Sequence, residues 1–395
     1  MKRKIISPLL AIVVLIPLLS ACSTENTDWQ LPAGDDWGGQ VLDMRRPTIA
    51  VNGDSSFAVL DDGSLWAWGH NRFGQLGMGT FTDEPILVPT RVKDDVAAIY
   101  GSALSTMAIT SDGGLWTWGR NQFGQLGDGT TENRAEPIRI MDDVVEVAGV
   151  ARVTLALKSD GSLWVWGTNE YGQFGNDEID YSLTPVKIMQ DVTAIAVGDR
   201  HAAVIRYDGS LWTWGGNNSG QLGNGTKNDS NIPIRIKEDV IAVSAGGWGT
   251  AVIQSDRSLW RWGDNTFGQI GDGTTTDRDI PMKIMEDVAF ISTGSSVTMA
   301  IRTDGTLWSW GVSFGTLGFE NNHVGRRPEK VLDDVVAIST MRSNAIAIRD
   351  DGSVWTWGEN YFGQLGNGER VRAQTGVMPP VSHPEQVLSN ALMNR

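Results

Sequence analysis

The sequence predicts an all-β fold, a seven-bladed β-propeller of four-stranded antiparallel blades, on three observations. The motif Leu/Val-Trp-x-Trp-Gly recurs seven times, with its first tryptophan at Trp66, Trp116, Trp164, Trp212, Trp260, Trp308 and Trp355, at spacings of 50, 48, 48, 48, 48 and 47 residues. An Asp-Gly pair stands before six of the seven, at Asp62, Asp112, Asp160, Asp208, Asp304 and Asp351, with Asp256-Arg257 the one departure. Helical periodicity is absent. A near-constant period of this length marks one supersecondary unit repeated, so 395 residues make one repetitive domain rather than two or three independent ones.

The first 21 residues read as a leader. Lys2, Arg3 and Lys4 precede an apolar stretch from Ile5 to Leu19, which is short for a membrane span of about 20 residues and the right size for a signal-peptide core. It ends Leu19-Ser20-Ala21-Cys22, which resembles the lipobox of bacterial lipoproteins, and the only cysteine of the chain falls on the lipidated position. The expected organisation is a leader over 1–21, a lipid-anchored linker over 22–40, the propeller over 41–370 and a tail over 371–395. Lipid on Cys22 would hold the protein to a membrane on its extracytoplasmic side.

Within each repeat, Asp-Gly between apolar runs predicts a hairpin with a two-residue turn, both central residues at positive φ. The strand before the turn pairs a small with a large aliphatic residue, as in Ala156-Leu157 and Ala347-Ile348, which suits a sheet covered on both faces. After the turn, the two tryptophans lie two residues apart and share a face. The fourteen paired tryptophans are Trp66, Trp68, Trp116, Trp118, Trp164, Trp166, Trp212, Trp214, Trp260, Trp262, Trp308, Trp310, Trp355 and Trp357, all expected to pack between blades. On that basis Trp212→Ala should cost about 3–5 kcal/mol through a core cavity. A strand such as 144–148 before the hairpin and a Pro-x-x-Ile strand such as 137–140 after the Gly-rich stretch complete a four-stranded blade, and seven blades close around a channel.

The pattern Asp-Gly-Ser-Leu-Trp-x-Trp-Gly-x-Asn-x-Phe-Gly-Gln-Leu-Gly, carried with small departures by residues 62–77 and 112–127, resembles the repeat of the regulator of chromosome condensation family, whose fold is a seven-bladed β-propeller. The resemblance covers residues 41 to about 370. Blade six departs from it at Val312-Ser313-Phe314-Gly315-Thr316-Leu317-Gly318, which lacks the Asn and the Gln. Ring closure has two candidate strands: Val41-Leu42-Asp43-Met44, which aligns with Val186-Lys187-Ile188-Met189 and is preferred, and Glu385-Gln386-Val387-Leu388.

Alternating strands place the Asp-Gly turns and the inter-blade turns on one face. That face gathers eighteen carboxylates, partly offset by Lys158, Arg206, Arg302 and Arg349, and should repel acidic partners. Aspartate suits turns, which accounts for most of the recurrence. No Asp-x-Asp-x-Asp-Gly calcium spacing occurs, and no metal or cofactor is expected. The opposite face varies between blades. Its loops offer Tyr100, Arg152, Arg200, His201, Trp248, Met341 and Arg342 near the channel, with His70, Arg72, Arg120, Glu170 and Tyr171 further out. Arginines and aromatics clustered on an exposed face are the material of protein-interface hot spots. Trp248, in Gly246-Gly247-Trp248-Gly249, has two placements open to it: exposed on that face, or folded over the channel mouth.

A net charge of -15 opposes non-specific nucleic-acid binding. The four histidines, His70, His201, His323 and His383, show no metal-ligand spacing, and neither a nucleophile elbow nor a phosphate-cradling motif occurs, so no catalysis is expected. The expected function is a monomeric, extracytoplasmic, lipid-anchored scaffold or inhibitor that binds another protein, similar to family members that act as secreted β-lactamase inhibitors. Two alternatives stand beside it: guanine-nucleotide exchange, the activity of the family's namesake, for which the even spacing leaves no large blade insertion, and a cryptic hydrolase or lyase. Gly247-Trp248-Gly249-Thr250 is similar to the tryptophan motif of light-sensing family members but lacks its Arg and His.

Overall fold

The computed structural model describes residues 48–312, 317–318, 325–341, 344–370 and 381–388. They form seven antiparallel sheets, each of four strands consecutive in the chain, over residues 49–93, 96–141, 144–189, 192–237, 240–285, 288–332 and 335–388. The first strand of each blade lines the channel and the fourth lies at the rim. The predicted leader, Cys22 and the linker lie outside the described residues.

The turn chemistry differs from the two-residue hairpin expected. In blade one, Gly63 N donates to Leu60 O at 2.9 Å and Leu60 N to Ser64 O at 3.0 Å, so Asp61, Asp62 and Gly63 form a three-residue loop. Only the glycine takes positive φ (76°), which is the type I turn plus left-handed residue of such loops. Asp62 keeps an ordinary φ and acts through its side chain instead, Oδ1 accepting from Ser64 N at 2.9 Å. Blade five has Arg257 at the glycine's place, with φ 65°. Aspartates do occupy the left-handed region at the inter-blade turns, where Asp95, Asp143, Asp191, Asp239, Asp287 and Asp334 have φ of 56–64°. The recurrence of Asp is thus a backbone requirement at one turn and a side-chain cap at the other.

The paired tryptophans share a face but not an environment. Trp68, Trp118, Trp166, Trp214, Trp262, Trp310 and Trp357 are fully buried, whereas their partners two residues earlier are half-buried. The buried indole N–H of blade n+1 donates to the loop of blade n: Trp118 to Gln75 O, Trp166 to Gln125 O, Trp214 to Gln173 O and Trp262 to Gln221 O, at 2.8–3.0 Å. The outer indole instead bonds within its own blade, as Trp66 Nε1 does to Ser64 Oγ and Trp212 Nε1 to Ser210 Oγ. That bond gives the Ser after Asp-Gly its purpose. The Asn and Gln of the motif close the clasping loop on itself, with Leu76 N donating to Asn71 Oδ1 and Phe73 N to Gln75 Oε1.

Ring closure corrects the preferred reading. The outer strand of blade seven is Val381–Leu388, which pairs with Val354–Gly358 in the register Trp355↔Gln386, so the propeller runs past residue 370. Residues 41–44 lie outside the described residues, and the first strand, Ile49–Val51, is the innermost strand of blade one. Among the described residues, no strand is exchanged between the ends. The inter-blade clasp closes the ring, because Gln364 O accepts from Trp68 Nε1 at 2.9 Å and from Ser56 Oγ at 2.7 Å. Pro384 marks the closing strand, since every outer strand carries a proline at this place: Pro89, Pro137, Pro185, Pro233, Pro281, Pro328 and Pro384. Proline at a rim strand removes a donor that a foreign strand would otherwise pair with.

Candidate partner-binding face

Antiparallel order puts the turn between the first two strands of each blade on the same face as the loop between its last two. On this loop face the channel opens as a cavity of about 530 Å³ lined by the innermost strands. Its wall is mostly small: where blade two has Tyr100, the other blades have Ala50, Ala148, Ala196, Ser244, Ser292 and Ser339. Glu146 and Phe290 break the symmetry one level deeper, at positions that are alanine at Ala98, Ala194, Ala242 and Ala337.

Five of the expected site residues, Tyr100, Arg152, Arg200, Trp248 and Met341, line this one cavity. Tyr100 and Met341 are half-buried, packed against neighbouring core clusters. Trp248 is 40% exposed at the mouth, so it is an open aromatic surface rather than a plug. Arg342 lies outside the described residues. His201 is a correction: it is fully buried, with Nε2 2.8 Å from Thr250 Oγ1. It is the first residue of its strand, and its ring turns between blades four and five, where Gly198 leaves room for it; a Cβ at Gly198 would stand 2.3 Å from its Cε1. His70, expected further out, is buried as well, between Asp54 and the ring of Phe362 at 4.5 Å.

Burial pushes the His201 imidazole from its usual 6.5 down to about 4. The unfolded chain therefore takes up the proton first as pH falls. The stability that neutral His201 contributes is complete above pH 6.5 and lost as pH falls to about 4, a loss of about 3 kcal/mol. His201→Val, which installs the residue found at this place in blades three and six, is expected to flatten that part of the curve. Denaturant midpoints at pH 7 and pH 4.5 check this; equal acid sensitivity of both proteins would contradict it.

The arginines of the mouth lie on aromatic rings of the blade before them. Arg152 Cζ is 4.5 Å from the Phe123 ring, and Arg200 Cζ is 4.3 Å from the Tyr171 ring. Blade four has Ser219 where blades two and three carry these aromatics, and blade five has Trp248 where blades three and four carry the arginines. Trp248 instead faces Arg200 from the other side, at 5.2 Å. Further round, Arg120 stands between Phe73 at 5.5 Å and Phe123 at 5.9 Å. From the sequence, Phe73 and Phe123 are parts of a turn motif; their role as platforms depends on which blade stacks on which. Glu170 pairs with Arg152, and Arg72 lies 3.4 Å from Asp83.

The opposite face is better neutralised than the sequence implied. Besides Lys158, Arg206, Arg302 and Arg349, the cations Arg91, Arg139, Arg235, Lys283 and Lys330 reach it from the outer strands and pair with Asp94, Asp112 and Asp142, Asp208 and Glu238, Glu286, and Asp333. Bonds from Thr110, Gly114 and Arg139 hold the Asp112 carboxyl down to about 2. These carboxylates build turns. Among the described residues, no group of three or more His, Cys, Asp or Glu is arranged to hold a metal ion.

Residues 138–391, more than half of the chain, match the RCC1-like domain. The chain belongs to the RCC1-like family. The regulator of chromosome condensation repeat matches separately over 62–109 and 112–157, and a second form of it over 48–75 and 96–125. Among solved structures the propeller is similar to human WBSCR16, with a TM-score of 0.71 and 22% identity over 82% of this chain and 94% of that one. It is also similar to Prp20p of Saccharomyces cerevisiae, with a TM-score of 0.72 and 20% identity over 88% and 89%. A second structure of yeast RCC1 (Prp20) gives a TM-score of 0.73 and 18% identity over 92% of each chain. At these identities the likeness is one of fold. No curated protein matches the chain.

Proposed function

We propose that this RCC1-like propeller is a non-catalytic scaffold that captures another protein on its loop face, held by lipid at Cys22 outside the cytoplasm. The observation that carries it is the half-open cluster of Tyr171, Arg200 and Trp248 at a cavity whose walls are otherwise mostly small. Rigid aromatics and arginine at a concave mouth supply contact area at little entropic cost. Relatives of the same fold are described with protein partners: Prp20p with Gsp1p and histones, and yeast RCC1 (Prp20) bound to Kap60. The leader and the Leu19-Ser20-Ala21-Cys22 sequence support the anchored, extracytoplasmic placement. Among the described residues of this face, none favours exchange activity or cryptic hydrolysis.

Affinity capture from a cell-envelope extract with residues 23–395 tests this reading. Trp248→Ala and Arg200→Ala are each expected to weaken capture by about tenfold, a loss on the order of 1.4 kcal/mol, with thermal midpoints near wild type. Unaltered capture by both variants would refute the assigned face.

A further inference from the structure

We infer that the partner presents carboxylates, and that Arg120 and Arg200 on blades two and four receive them. This rests on the loop-face reading above. Stacking on aromatic rings occupies the flat faces of a guanidinium and leaves its in-plane N–H groups directed outward, where a carboxylate can meet them. Arg200 lies between Tyr171 and Trp248 at 4.3 and 5.2 Å, and no carboxylate among the described residues is within ion-pair distance of it. Arg120 lies between Phe73 and Phe123; its Nε and Nη2 donate to the neutral Gln122 Oε1, which leaves its charge uncompensated and its Nη1 edge to meet an acid. Between them, Arg152 is already neutralised by Glu170. The arc therefore offers two pre-positioned cations on either side of a satisfied pair. Glu146 and Asp199 also line the cavity and oppose an acid inside the channel, so the segment lies across the rim. Its binding is local, because the chain's net charge of -15 repels an anion at long range.

Fluorescence anisotropy of the full chain with a fluorescein-labelled Glu-Gly-Glu-Gly-Glu-Gly-Glu peptide tests this, against the same peptide with Gln for Glu. The Glu peptide is expected to bind at low salt and the Gln peptide not. Arg200→Gln and Arg120→Gln should each weaken binding about tenfold, and Arg200→Lys about threefold, since lysine keeps the charge but not the planar fork. Arg235→Gln, on the opposite face, should change nothing, and all variants should melt like the wild type. Failure of the Glu peptide to bind, equal binding of the Gln peptide, or an equal loss in Arg235→Gln would overturn the inference. Tighter binding of an oligothymidylate, lost in the same two variants, would also overturn it in favour of nucleic acid. If Trp248→Ala abolishes protein capture while the Glu peptide neither binds nor competes, the acidic chemistry fails and the face stands.

Discussion

Trp214→Ala is expected to lower the stability of the propeller by about 3–5 kcal/mol, read as a shift of the denaturant midpoint at constant slope. The Trp214 side chain is fully buried between blades three and four, packed with Leu155, Val165 and Phe174, and its indole N–H donates to Gln173 O at 2.8 Å. Alanine there opens a cavity that two stiff sheets cannot close and leaves a carbonyl without its donor. Trp212, two residues earlier on the same face, should behave differently. Its ring is half-buried, its N–H bond to Ser210 lies within its own blade, and Arg206 covers it at 5.7 Å. Trp212→Ala is expected to cost about 1–2 kcal/mol, below the figure expected from sequence, because water can fill the space left behind. Equal losses for the two variants would contradict the division of each pair into a clasped and a covering tryptophan.

Gly223→Ala should be nearly as damaging, by about 2–4 kcal/mol, although it adds one methyl group. Gly223 closes the clasping loop of blade four at φ 74°, and a Cβ there would stand 2.5 Å from Trp262 Nε1 and 2.8 Å from its Cε2. The cost has two parts, a left-handed backbone of about 1–2 kcal/mol and an overpacked contact of about 1–3 kcal/mol. Gly225 separates them. It has almost the same φ, 77°, but the nearest atom to its Cβ is Ile280 Cγ2 at 3.8 Å. Gly225→Ala should therefore show the backbone part alone, about 1–2 kcal/mol. A Gly223 variant no worse than the Gly225 variant in denaturant unfolding would mean that the loop yields and does not clamp the neighbouring indole.

Much of the face is legible residue by residue. Arg152, Arg200 and Trp248 stand one place before the second strand of successive blades, and repeats of constant spacing bring such positions to one rim. The same spacing misleads for His201: a residue one place further along the strand alternates to the other side and goes between the blades. The Asp-Gly turns are visible in the sequence, but their loop length is not, because that depends on where Leu60 and Ser64 pair.

By itself, the sequence determined the number of blades, their four-stranded makeup and the order of the two faces, since all of these follow from local patterns repeated at a fixed period. The tertiary structure alone decided how the ring closes, which tryptophan of each pair is clasped, and that Arg200 sits between Tyr171 and Trp248. The reason is physical: these are contacts between residues about 30 to 300 positions apart, such as Tyr171 with Arg200 or Gln364 with Trp68. No periodicity within a strand records which neighbour its face will meet.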